Sequence, residues 1–315
     1  GSASLASRAD VRRPSKATSR ATESPMSAAP GTPELSAVVT TIGRPAQLRR
    51  LIASLARQSD PTQLELIVVD QSDDQSCVSV VESMELPFVA RTATSERGAS
   101  LGRNVGARLA TGSILTFPND YGEYKPTTVA DIVNRMAGAR DLDALSGIQR
   151  TPDGRPSQLR WPDHAQPVTR KNVWLTVIEP TLAIRRSLFE MLGGFDESIG
   201  TGSAGRYQSG EVTDLVLRAL DVGARVEYDP AIEFVMDDPR DRVTQGFEAK
   251  MLGYGRGIGH LYRVHDLSRS QLAYYVARKY AAAAVRSVRG RRDLAKADLA
   301  WAHGAIEGYR DGVTP

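Results

Sequence analysis

The 315-residue chain has one cysteine, Cys77. It therefore closes no intrachain disulfide and offers no cysteine-built zinc site. No apolar run approaches the ~20 residues that a bilayer-spanning helix needs. Lysine is scarce, six against 34 arginines, a bias that a GC-rich genome accounts for. The four histidines (His164, His260, His265, His303) show no metal-ligand spacing. No glycine-rich phosphate loop with its lysine stands near the first apolar segment, which counts against nucleotidyl transfer.

What is present is ordinary for a globular chain: 41% apolar and 24% charged residues. That excludes a fully disordered chain, a collagen and a coiled coil. The net charge of +3 is unevenly placed. Residues 1–33 hold five bases and two acids, and residues 247–315 hold twelve bases and six acids, so the long middle is acidic. An acidic body argues against nucleic-acid binding. The basic C-terminal stretch Arg278–Arg292, with Tyr274, Tyr275 and Tyr280, suits either an anionic membrane surface or a solvated helix face.

Residues 1–33 are rich in Ser, Ala, Arg, Thr and Pro without periodicity and read as a disordered tail. Gly1-Ser2 reads as a cleavage remnant and Met26 as a native start. An apolar run, Ser36–Thr41, opens the regular part, and Gly43-Arg44-Pro45 ends it. Pro45 suits the first turn of a helix, and Leu48, Leu51, Ile52 and Leu55 recur at helical spacing. Further strands are predicted at Leu64–Val69, Phe88–Ala90, Ile114–Phe117 and near Leu142–Ile148, with a polar turn and helix start over Ser72–Ser76 continued by Val78, Val80 and Val81, and helices over 98–110 and after Pro126. Residues 149–175 form a long polar excursion carrying Trp161 and Trp174, residues of the kind that pack a core or stack on a sugar or base. A strand and helix follow over 176–192, closed by Gly193-Gly194. Residues 198–210 read as flexible, 211–220 as a helix, and 244–311 as two or three helical pieces broken at Gly253–Gly259 and near Gly290.

Strand–helix alternation at this spacing implies βαβ units and a mainly parallel sheet. Ligands of such sheets bind off the carboxyl ends of the strands. Thr41 and Arg44, Asp70, and Asn119 with Asp120 fall there. Asp70 accepts from a base N–H or a ribose hydroxyl on one reading, and caps the following helix on the other.

Four segments in order resemble a family-2 glycosyltransferase of the GT-A type: VVTTIGRP (38–45), IVVDQSDD (67–74), SLGRNVGARLATGSILTFPND (100–120) and GGFDESIGTGS with SGEVTDLVLRALDVGARVEYDP (193–230). The resemblance runs from about Leu35 to about Arg263. It implies an α/β GT-A (Rossmann-like) fold with a helical C-terminal extension. The expected divisions are a nucleotide-sugar-binding half (34–125), an acceptor-binding half (126–243) and the extension (244–315). It implies inverting transfer of a sugar from a nucleoside diphosphate to an acceptor hydroxyl, in polysaccharide, glycolipid or natural-product glycosylation. The resemblance puts Thr41, Arg44, Asp70, Arg103 and Asn119 on the nucleotide and Asp120 on Mg²⁺ or Mn²⁺, and leaves Glu211 or Asp214 as a displaced catalytic base beside the position it assigns to one. A cytoplasmic location, alone or peripheral to the inner membrane with a lipid-linked acceptor, and a homodimer complete the expectation.

The chain also departs from the resemblance. Asn119-Asp120-Tyr121 stands where relatives show three acids, Val212 where they show the base, and Met236 where they show a metal-binding histidine. Asp237 or Asp238 is a substitute ligand, or part of an exposed turn. These departures define a second reading, a GT-A-fold binding or partner subunit that has lost catalysis. They define also a weakly bound or absent metal.

Overall fold

Strands β1 (Leu35–Thr41) and β2 (Leu64–Asp70) are buried almost end to end. That is why they read as continuous apolar runs: parallel strands are covered on both faces. Successive side chains of β1 point to opposite faces, so Val38 joins one core and Ala37 and Val39 the other. The computed structural model describes residues 32–237 and 245–311. The reading of the N-terminal tail, Met26 and Asp238 falls outside the described residues.

Between β1 and β2 runs α1 (Pro45–Ala56), with the proline at its first turn and Leu48, Leu51, Ile52 and Leu55 fully buried. Each such side chain contributes about 2 kcal/mol by leaving water. Next come α2 (Ser76–Glu82), β3 (Val89–Thr94), α3 (Ala99–Leu109), β4 (Ile114–Thr116), β5 (Glu123–Tyr124), α4 (Thr128–Gly138) and β6 (Ala144–Arg150). The second half adds β7 (Gln166–Pro167), α5 (Val173–Thr176), β8 (Ala183–Arg185), α6 (Arg186–Met191), α7 (Glu211–Asp221) and β9 (Val226–Val235). Helices α8 (Phe247–Val264), α9 (Arg269–Val288) and α10 (Arg292–Arg310) follow.

The strands form one sheet in the order β3-β2-β1-β4-β8-β6-β9-β5, with β7 on β9. The first four are parallel, β8 is antiparallel to both β4 and β6, and β9 is parallel to β6. Helices α1, α2 and α4 cover one face, while α3, α6, α7 and the C-terminal helices supply the other core. The expected strand at Phe88–Ala90 begins one residue later and runs on to Thr94. It is an edge strand with half-exposed side chains, so it lacks a continuous apolar run. No described helix is long and apolar enough to cross a membrane.

The expected break at Gly253–Gly259 is corrected: α8 is continuous through all four glycines. They serve close packing. A Cβ on Gly255 would lie 2.1 Å from the Trp301 carbonyl oxygen, and one on Gly259 2.1 Å from that of Ala305, both in α10. In return, Gly304 and Gly308 of α10 meet the carbonyls of Leu252 and Arg256 at 2.2 and 2.0 Å. Gly257, on another face, meets the Ser209 carbonyl at 2.1 Å. The glycines thus trade local helix propensity for backbone-to-backbone contact. In the basic stretch, Lys279 (Nζ–Oδ1, 2.8 Å) and Arg286 turn inward onto Asp298, which is 3% exposed.

Candidate active site

Strand order reverses at β1, between its neighbours β2 and β4, and in sheets of this kind ligands bind beyond the carboxyl ends of the strands at that point. Thr41 ends β1 and Arg44 precedes α1. Both reach Asp120, which follows β4. Thr41 Oγ1 donates to Asp120 Oδ2 at 2.7 Å, and Arg44 Nη1 donates to Oδ1 at 3.1 Å. Burial pushes the Asp120 carboxyl above the usual carboxylate range, with Thr41 and Arg44 pulling against it. The Arg44 guanidinium also stands 5.5 Å from the centre of the Tyr121 ring.

Asp70 ends β2 and takes the capping role. Its Oδ2 accepts from the backbone N–H of Cys77 (2.8 Å) and Val78 (3.3 Å), and its Oδ1 from that of Ser72 (3.0 Å) and from the Ser72 hydroxyl. It thereby satisfies the N-terminus of α2 and fixes the 71–76 turn at the crevice edge.

Helix α3 sits against the sheet because Gly102 and Gly106, four apart, face it. A Cβ there would lie 2.5 Å from Thr40 and 2.4 Å from Val38. The close approach sets two neighbours. Asn104 donates to the Phe195 carbonyl (2.9 Å) and accepts from the Phe195 N–H (2.9 Å), pinning the turn after α6. Arg103 Nη1 donates to Glu211 Oε1 at 3.0 Å, in a buried pair that joins α3 to the first residue of α7.

A third carboxylate, Glu179, belongs to this cluster and has no counterpart among the residues singled out in the sequence. Burial first, and the Glu211 charge next, hold its carboxyl above the usual range, while Arg103 and a bond from Asn119 oppose them. Asn119 Nδ2 donates to Glu179 Oε1 at 3.4 Å. Asn119 thus connects the Thr41–Arg44–Asp120 group to the Arg103–Glu211–Glu179 group. An acid before proline inside the apolar run TVIEPTL is the only sequence signal for Glu179.

Asp214 is not brought to this cluster. Its Oδ2 is bonded by Arg218 (2.8 Å) and its Oδ1 by His265 Nε2 (2.8 Å), at the end of α8. Burial pushes its carboxyl up, but these partners outweigh burial and leave it below the usual range. Val212 and Met236 are 6% and 2% exposed, in the two cores. Trp161 and Trp174 stack on Tyr228 and Tyr262 with ring centres 5.9 and 5.3 Å apart, the packing role. The loop 198–210, expected to be flexible, is pinned by its own bonds. The Gly200 N–H donates to the Tyr207 carbonyl (2.8 Å), and Gln208 both accepts from Gly202 N–H (2.8 Å) and donates to the Gly205 carbonyl (2.6 Å).

The donor set does not fit a divalent cation. Mg²⁺ and Mn²⁺ ask for several hard oxygens around one or two carboxylates. Both oxygens of Asp120 face Thr41 and Arg44, its neighbours Asn119 and Tyr121 are neutral, and Met236 is a soft, buried side chain. Among the described residues no three His, Cys, Asp or Glu side chains group as around a metal ion.

A parallel half-sheet with polar residues at its carboxyl ends, continued by an antiparallel strand and a carboxylate-bearing helix, defines an α/β protein of GT-A architecture. Solved structures share it. A Pyrobaculum calidifontis mannosyltransferase, PcManGT, solved with GDP-Man and Mn²⁺, superposes with a TM-score of 0.59 at 16% identity, over 89% of this chain and 88% of that one. Residues 1–349 of Staphylococcus aureus TarS superpose at 0.54 and 18% identity, over 89% and 92%; that protein has also been solved with UDP and with UDP-GlcNAc. The family model "Glycosyl transferase family 2" matches residues 36–193, and the chain belongs to that family. An uncharacterized glycosyltransferase of Haemophilus influenzae is 24% identical over 171 residues, 52% of this chain. The match spans 57% of that curated relative's length.

Proposed function

We propose that the chain transfers a sugar from a nucleoside diphosphate donor to an acceptor hydroxyl. One observation carries the reading: Asn119, next in sequence to Asp120, bonds Glu179, which lies in the field of Arg103 and Glu211, so the strand-end residues and the carboxylates around Arg103 are linked in one polar cluster. On this reading Thr41, Arg44, Asn119 and Arg103 meet the donor, and Asp70 shapes the turn against which the nucleoside rests. The acceptor oxygen attacks the anomeric carbon as the bond from that carbon to the phosphate oxygen breaks. The electron pair leaves with the nucleoside diphosphate, and the configuration inverts. Glu179 takes the hydroxyl proton. A raised carboxyl is suited to that task, because a base works best with a proton affinity near the working pH. Glu211, neutralised by Arg103, holds the arginine in place. Asp214, tied to Arg218 and His265, serves the scaffold.

The test is release of nucleoside diphosphate from a panel of UDP-, GDP-, dTDP- and CDP-sugars, with simple glycosides as acceptors. Glu179→Gln should lower turnover by about 10²-fold or more while donor affinity holds. The burial of Val212, where the family resemblance sets the base, favours a second reading: a subunit that binds the donor without transferring it. Donor binding with no turnover on any acceptor selects that reading.

A further inference from the structure

We infer that Arg44, rather than a divalent cation, offsets the diphosphate charge of the donor. The inference rests on the proposed donor site and concerns how that site handles charge. A departing nucleoside diphosphate needs positive charge at its oxygens, from a metal or from fixed cations. The acid left at the metal motif, Asp120, is 3% exposed and spends one oxygen on Thr41 and the other on Arg44. The next residue, Tyr121, is 40% exposed and presents a neutral phenol beneath the Arg44 guanidinium. A carboxylate would be needed there to complete a cation site.

Arg44 has the attributes of the replacement. Its side chain is 46% exposed, while Asp120 anchors it through Nη1 alone. A guanidinium carries five N–H donors in a planar fork, keeps its charge at every working pH and pairs phosphate oxygens two at a time. Asp120 and the Tyr121 ring hold it in one orientation, so little side-chain freedom remains to be lost on binding. A second feature adds to it. Arg44 is the N-cap of α1, whose first turn has no side-chain cap and no acid. The neighbouring N-terminus, that of α2, is filled by Asp70. Pro45 has no N–H, so the N–H groups of Ala46 and Gln47, together with the helix dipole, add partial positive charge beside the guanidinium.

The experiment is calorimetric titration of the purified chain with UDP, GDP, dTDP and CDP, each in EDTA and in excess Mn²⁺ or Mg²⁺. One nucleotide is expected to bind in EDTA with an affinity within about twofold of that with metal. Arg44→Ala should weaken it by about tenfold or more. The matching nucleoside, which has no phosphate, should bind both proteins alike. Thermal unfolding checks that the variant is folded; Arg44→Gln, neutral but able to bond Asp120, replaces it if it is not. Binding seen only with metal overturns the inference and leaves the donor site standing. So does equal loss of the nucleoside and the nucleotide in the variant, or no loss of either. No binding of any nucleotide under any condition overturns the donor site itself, and the inference with it.

Discussion

Arg103 and Glu211 meet at 3.0 Å with side chains 6% and 8% exposed, and their pair bridges the two halves of the sheet protein from α3 to α7. Removing one member of a buried pair leaves an uncompensated charge, at a cost of about 3–5 kcal/mol. The two removals are unequal here, because Glu179 also lies in the field of Arg103. Glu211→Gln leaves the arginine facing Glu179. Arg103→Met leaves two carboxylates facing each other without a cation. Arg103→Met is therefore expected to be the more destabilising, as read from denaturant midpoints of the two variants. Equal midpoints would separate Glu179 from this cluster.

Glu179 carries a prediction in which stability and activity move oppositely. Its carboxyl titrates above the ordinary value of about 4.3. The folded state thus binds its proton more tightly than the unfolded state, and stability falls as pH rises from that ordinary value through the folded one. Glu179→Gln removes the burden. The variant should melt above the native protein by a few degrees at neutral pH, the gap closing below about pH 4, while turnover is lost. Melting curves at several pH values, beside a donor-turnover assay, check both halves.

Asp214 behaves in the other sense. Its folded value lies below the ordinary one of about 3.9, so its contribution is present above that pH and lost as pH falls through the folded value. Asp214→Asn should lower stability by about 1–3 kcal/mol at neutral pH, through the lost bonds to Arg218 and His265. The penalty should shrink under acid. Nucleotide affinity should stay unchanged, since none of its bonded partners belongs to the crevice cluster. A variant that folds normally and binds nucleotide but loses turnover would return Asp214 to the site as a base.

Local patterns made much of this legible in the sequence. The apolar runs of β1 and β2, the proline-started periodicity of α1, and the polar residues after each strand placed Thr41, Arg44, Asn119 and Asp120 at the carboxyl end of the sheet, where Thr41 and Arg44 meet Asp120. Arg103 and Glu211 were singled out separately, and only the fold paired them. What stayed hidden depends on contacts between distant segments. Glu179 gains its role from α3 and α7, and nothing in its neighbours' spacing announces that. His265 reads as an ordinary histidine until α8 ends beside α7 and sets it on Asp214. At Gly253–Gly259 the local signal pointed the wrong way. Each glycine costs about 1 kcal/mol of helix propensity, and only contacts with distant segments explain why they are kept: α10 for Gly255 and Gly259, and the 208–209 segment for Gly253 and Gly257.

That contact supplies the final prediction. At Gly304 an added Cβ would lie 2.2 Å from the Leu252 carbonyl oxygen, so a backbone, not a flexible side-chain end, would have to move. Gly304→Ala should cost about 1–3 kcal/mol as α8 and α10 are forced apart. Gly138, the last residue of α4, has nothing within 4 Å of such a Cβ. Gly138→Ala should therefore be neutral, or stabilising by about 0.4–1 kcal/mol through a less free unfolded chain. Helix propensity favours alanine at both positions, so propensity alone predicts a gain twice. A loss at Gly304 with none at Gly138, read from denaturant midpoints, isolates the cost of separating two helix backbones. A gain at both would mean that α8 and α10 pack more loosely than the glycine contacts require.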